Sequence, residues 1–169
     1  GNTENRVFNV DGRFRLSDNW STQMQFIDTN AKDAAGASSD GTQSNIKFDR
    51  QGRSLRVHVH QIDTTEDFQV DLGFQNRNTS ADTRSRHTNV GYTFWPENGL
   101  VNSWTPRIGI NTVADQKGVR IFENIDYRME ATWDGETSIL LRADNLRERL
   151  RAQDHSNLDR NKDFNQKQW

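Results

Sequence analysis

Apolar and polar residues alternate at every second position through much of this chain. The pattern is cleanest at EDFQVDLGF, Glu66 to Phe74, where Phe68, Val70, Leu72 and Phe74 are interleaved with Gln69, Asp71 and Gly73. Successive side chains of an extended strand point to opposite faces, so this stretch predicts a strand with one apolar and one polar side. Its hairpin partner is SLRVHVHQ, Ser54 to Gln61, with Leu55, Val57 and Val59 set against Arg56, His58 and His60. Upstream, Phe8, Val10, Phe14 and Leu16 alternate with Asn9, Asp11, Arg13 and Arg15. After the turn signal Ser17-Asp18-Asn19, a second strand carries Trp20, Thr22, Met24 and Phe26.

The rhythm continues with interruptions. Residues 29–44 are small and polar without a period and predict a long loop, and NRNTSADTRSRH, residues 76–87, predicts a second one. Ile46 and Phe48 mark a short strand, and Val90, Tyr92 and Phe94 another, ending in the turn signal Trp95-Pro96-Glu97-Asn98-Gly99. Trp104, Pro106, Ile108 and Ile110 form a weaker strand; proline cannot donate to a ladder, which predicts a bulge or a sheet edge there. From Val119 to Trp133 the odd positions include Ile121, Ile125, Tyr127 and Met129, while the even ones include Arg120, Asn124, Asp126 and Arg128. At about 3.3 Å per residue that run would reach roughly 50 Å, long for a soluble sheet. Asp134-Gly135 then predicts a hairpin leading to Thr137, Ile139 and Leu141.

No helix long enough for a crossover is visible, so the expectation is an all-β antiparallel meander of about nine or ten long strands. Strand length and alternation favour a transmembrane-type β-barrel, partial or open, over a soluble sheet. Residues 1–145 would form the wall. Residues 146–169 lose phase and would be a polar C-terminal segment, either an extra strand or a frayed end.

Composition narrows the reading. Leu, Ile, Val and Phe together make up about a fifth of the 169 residues, close to the level at which chains fail to fold. The regular placement of those few residues argues for a thin apolar face rather than disorder. Net charge is −2, from 22 basic and 24 acidic residues spread along the chain, so no basic surface points to nucleic acid. With no cysteine, disulfides and thiolate metal sites are excluded. No run of 18 apolar residues provides a transmembrane helix.

The dry side of each strand needs lipid or a protein core. The residues assigned to it are Phe14, Val57, Phe68, Val70, Leu72, Phe74, Tyr92 and Tyr127. The wet side, a lumen in the barrel reading, takes Arg13, Arg15, Arg56, His58, Asp71 and Arg128. Aromatic residues near stripe ends, Trp20, Tyr92, Trp104, Tyr127 and Trp133, fit the interfacial girdles of membrane barrels. The competing expectation is a soluble β-sandwich or barrel that binds carbohydrate, its exposed tryptophans stacking on sugar rings. The bilayer is the expected partner in the first case.

Chemistry is sparse. His58 and His60 form an HxH pair able to point two imidazoles at one metal, with Asp71 as the nearest further ligand, but no complete set emerges and no metal or cofactor is assigned. Asp159, Asn161 and Asp163 begin like a calcium loop, yet Phe164 stands where glycine is needed. No carboxylate pair or nucleophile motif stands out, so the chain is not expected to be an enzyme.

DGRFRLSDNW, the turn DRQGR, EDFQVDLGFQNRN and NVGYTFWPENG, in this order, resemble a family of bacterial outer-membrane β-barrel domains of unknown function. Asp67-Phe68, Gly73-Phe74, Arg77 and Phe94-Trp95-Pro96 carry the match, which spans roughly half the chain. The resemblance implies a location in the bacterial outer membrane, a role as membrane anchor or solute passage, and an N-terminal module similar to family-nine carbohydrate-binding modules on the full-length chain. The family's barrel is longer than this chain, which is similar to a segment of it.

Overall fold

A computed structural model describes residues 4–69, 81–97, 99–152 and 157–169. Among these lie nine strands: β1 (Glu4–Arg15), β2 (Trp20–Lys32), β3 (Ser38–Gln51), β4 (Leu55–Thr64), β5 (Thr83–Tyr92), β6 (Ser103–Ala114), β7 (Arg120–Thr132), β8 (Ser138–Leu150) and β9 (Lys162–Gln168). They form one antiparallel sheet in sequence order, a nine-stranded meander that is open, with β1 and β9 at its edges. The all-β meander expected from the alternation is therefore observed. A single sheet is not a sandwich.

Several strands exceed their sequence-predicted limits. The loop expected over 29–44 is mostly ladder: β2 runs to Lys32, β3 starts at Ser38, and their register stays unbroken from Trp20↔Arg50 to Lys32↔Ser38. Only 33–37 turns, where the Asp33 carboxylate accepts from the amides of Ala35 and Ala37, both at 2.9 Å, and Gly36 takes φ +90°. Likewise Thr83 to His87, expected in a loop, belongs to β5. Both stretches are strands whose two sides are polar, which alternation of hydrophobicity cannot reveal.

β8 crosses the boundary placed at 145/146, because Arg147 and Arg149 continue its outward positions and find acids there, Glu123 and Asp163. β9 is the extra strand. Pro106 sits in an interior strand rather than at an edge. The β5–β6 ladder stops at Gly91↔Arg107 and resumes as an isolated bridge, Phe94↔Trp104, so the missing N–H falls in the gap. The one register shift in the β6–β7 pairing lies elsewhere, between Val113 and Ala114.

EDFQVDLGF is corrected most. β4 ends at Thr64, and Glu66 to Gln69 are outside any strand. The chain turns at Thr65, whose carbonyl accepts from the Phe68 amide at 3.3 Å and the Asp82 amide at 3.1 Å. Val70, Asp71, Leu72 and Phe74 lie outside the described residues, as do Gly73 and Arg77.

Buried apolar residues are few. Ile62, Phe68 and Val113 are the buried hydrophobic side chains among the described residues, Val113 completely so. By contrast Phe8, Val10, Phe14, Met24, Phe26, Ile46, Ile108, Tyr127, Ile139 and Leu141 are exposed.

Candidate functional site

Register sorts every side chain onto one of two faces. Partners across a ladder share a face, so Trp20, Arg50, Val57, Val90, Ile108, Tyr127 and Ala143 form one row, and Phe14, Thr22, Phe48, Val59, Thr88, Ile110 and Ile125 form the next. These rows lie in an apolar belt that crosses β1 to β8. Phe14, Tyr92 and Tyr127 stand on it at 54, 44 and 52% exposure, and Val57 is half-buried beside them. Around Tyr127 the belt is grooved by a depression of about 560 Å³ lined in part by Val90, Tyr92, Pro106, Ile108, Met129 and Leu141.

Aromatic rings gather toward one margin of the belt, at the end of the sheet that carries the turns 16–19 and 52–54. Trp20 and Phe48 meet at 4.8 Å between centroids, Phe94 stacks on Trp104 at 4.0 Å and 9° between planes, and Tyr92 meets Phe94 at 4.6 Å. Arg50 and Arg53 lie over Trp20 and Trp95 at 5.7 and 5.3 Å. Beyond the opposite margin the same face turns polar and its charges pair: Arg84 with Asp63 at 2.6 Å, Arg149 with Asp163 at 2.6 Å, and Glu123 with Arg120 and Arg147, while the Asn30 amide donates a hydrogen bond to Asp40.

The other face is predominantly polar and the more enclosed. One row there reads Arg15, Ser21, Asp49, His58, Asn89, Gly109, Asp126, Asp144, and the next Arg13, Gln23, Lys47, His60, His87, Asn111, Asn124. Asp126 is only 7% exposed, and a Cβ at Gly109 would overlap its carboxylate. Among the described residues no second sheet covers this face, which is called the inner face for its greater burial. The acceptor oxygens of Asn111 and Asn124 are buried there without a donor among the described residues.

Arg13, Arg15, Arg56, His58 and Arg128 all project on this inner face, as sequence spacing predicts. Sequence reasoning missed His87, which register places opposite His60. Ring centroids of His58 and His60 are 6.0 Å apart, and those of His58 and His87 5.5 Å. His58 Nδ1 donates to Asp49 at 2.6 Å and His60 Nε2 to the Asn45 side-chain oxygen at 2.8 Å. With these nitrogens engaged, no group of three His, Asp or Glu side chains among the described residues converges on a metal position.

Phe68 belongs to neither the belt nor the inner-face rows. It is 3% exposed, and its backbone lies against Gly41, where a Cβ would overlap it. The inner-face hydroxyl of Thr29 accepts from the Gln69 amide at 3.4 Å, and Ser39 donates to the Asp67 carbonyl at 3.0 Å. Placed as a lipid-facing or core residue by alternation, Phe68 is buried on the polar side. The signal was Gly41, since glycine inside a strand marks close backbone approach.

Compared with known protein families, with curated proteins and with solved structures, the chain matches none.

Proposed function

We propose that this chain is wall from an outer-membrane β-barrel, its belt against lipid and its polar face lining an aqueous interior, working as membrane anchor or solute passage. The observation that carries this reading is the belt itself: a continuous apolar band left exposed on the outer face of a sheet whose inner face is polar and enclosed. Soluble folds place their apolar side chains the other way round.

The belt's course adds support. In β1 it is centred on Gly12, whose register row ends at Arg147 in β8; in β8 the belt is centred on Leu141, six residues away along the strand. Six residues are about 20 Å, and seven strand spacings about 34 Å, so the belt is inclined about 30° to the rows. A belt lying in a membrane plane requires strands tilted by about that angle, near the 35–45° of membrane barrels. Aromatic rings at one margin and paired charges beyond the other suit the two sides of an interface. The donorless oxygens of Asn111 and Asn124 suit a wet interior, because buried acceptors without protein donors are met by water.

The reading agrees with the resemblance to outer-membrane barrel domains, in which Phe94-Trp95-Pro96 falls at the aromatic margin. It assigns the bilayer as partner and no catalytic role, and places a carbohydrate-binding module elsewhere on the full-length chain. Refolding into vesicles tests it. The chain is expected to co-float with lipid and to resist protease there; a monodisperse, cooperatively unfolding species in plain buffer would favour the soluble carbohydrate binder instead.

A further inference from the structure

The inner face carries a row of arginines nearer the aromatic end than the aspartate row already described. Register aligns Arg56, Gly91, Arg107, Arg128 and Arg142 on the consecutive strands β4 to β8. Adjacent strands are about 4.8 Å apart, and like charges directly opposite one another destabilise a sheet unless compensated. Compensation is uneven. Asp126 takes Arg128 at 2.9 Å, Asp144 takes Arg142 at 2.6 Å, and Asp49 is engaged by His58. Arg56 and Arg107 have no acidic partner among the described residues. Between them Gly91 is buried and has no side chain, and the Cγ and Nε of Arg107 lie 3.6 Å from where its Cβ would be. The Arg107 side chain thus leans across a bare floor with Arg56 on its far side.

We propose that Arg56 and Arg107, over Gly91, form a seat for an oxyanion, the carboxylate or phosphate group of a solute reaching the inner face. Guanidinium forks match both groups in plane and charge, and a bound oxyanion supplies the counter-charge that the row lacks. The proposal names a solute class for the aqueous interior and rests on that reading of the polar face. The arginine row also gives that interior a preference for anions over cations at this level.

The test is calorimetric titration of inorganic phosphate, and separately of citrate, into the full chain held in lipid nanodiscs at low salt. Binding of either oxyanion is expected, weakened about tenfold by Arg107→Gln or Arg56→Gln, the effect of one lost charge-assisted hydrogen bond. Arg107→Lys retains part of it, and Arg149→Gln, on the outer face and paired with Asp163, leaves it unchanged. Far-ultraviolet circular dichroism shows that each variant keeps its sheet. Binding of neither oxyanion, or equal binding by the wild type and the Arg56→Gln/Arg107→Gln double variant, overturns the seat. If the chain stays out of lipid yet binds phosphate through this pair in buffer, the membrane reading falls and the seat stands. If it inserts and shows no pair-dependent binding, the seat falls alone.

Discussion

Each residue's face decides what a substitution costs. Ile108 is on the belt and Thr112, four residues on, faces the same way where the surface has turned polar. In lipid, Ile108→Arg is expected to cost about 2–4 kcal/mol, whereas Thr112→Arg costs about 1 or less. Denaturant unfolding from vesicles measures the difference, and equal costs would contradict the belt. Gly41→Ala acts inward: its methyl group collides with the Phe68 backbone, so the segment from Thr65 to Gln69 has to lift and Phe68 is exposed. Loss of that burial is worth about 1.5–3 kcal/mol, read as lower stability together with new protease cleavage near Phe68. An intact segment in the variant would argue against the docking.

Strands and turns set how far the sequence could be read. Where one side of a strand is apolar, alternation located it: β1, the first half of β2, β4, β7 and the start of β8 were legible. Where both sides are polar the strand was invisible, as in Asn30 to Lys32, Ser38 to Ser44 and Thr83 to His87, because the side chains these extensions bury, Gln43, Thr83 and Ser85 among them, are polar and leave no hydrophobic period. At Phe68, expected on the lipid or core side and found buried, it is the strand that failed, for the opposite reason. Its place in a perfect alternating run hid a turn made by backbone bonds at Thr65, which leave no hydrophobic trace. That Arg13, Arg15, Arg56 and Arg128 share one face was legible from phase alone, but the rows that join them across strands were not, because register depends on turn geometry and length. The turn at 33–37 supplies a check at this scale. Asp33→Ala removes the acceptor for two amides and is expected to destabilise the β2–β3 hairpin by about 1–2 kcal/mol, seen as faster amide exchange at Lys32 and Ser38; unchanged exchange would contradict that role.

Taken whole, the described residues form one open sheet that leaves most of its large apolar side chains exposed on one face and encloses mainly polar ones on the other. Among the described residues no strand pairs with the outer edges of β1 and β9, and in the proposed barrel such edges are covered by strand pairing. The chain has no cysteine, so single cysteines can be introduced at chosen positions for spin labels. The decisive measurement is label accessibility in vesicles, position by position. Labels at Phe14, Phe48, Ile108 and Tyr127 are predicted to collide readily with oxygen and little with a water-soluble nickel complex, while labels at Gln23, Asn45 and Asn111 show the reverse. Uniform accessibility on both faces, or nickel access along the belt, would contradict the account.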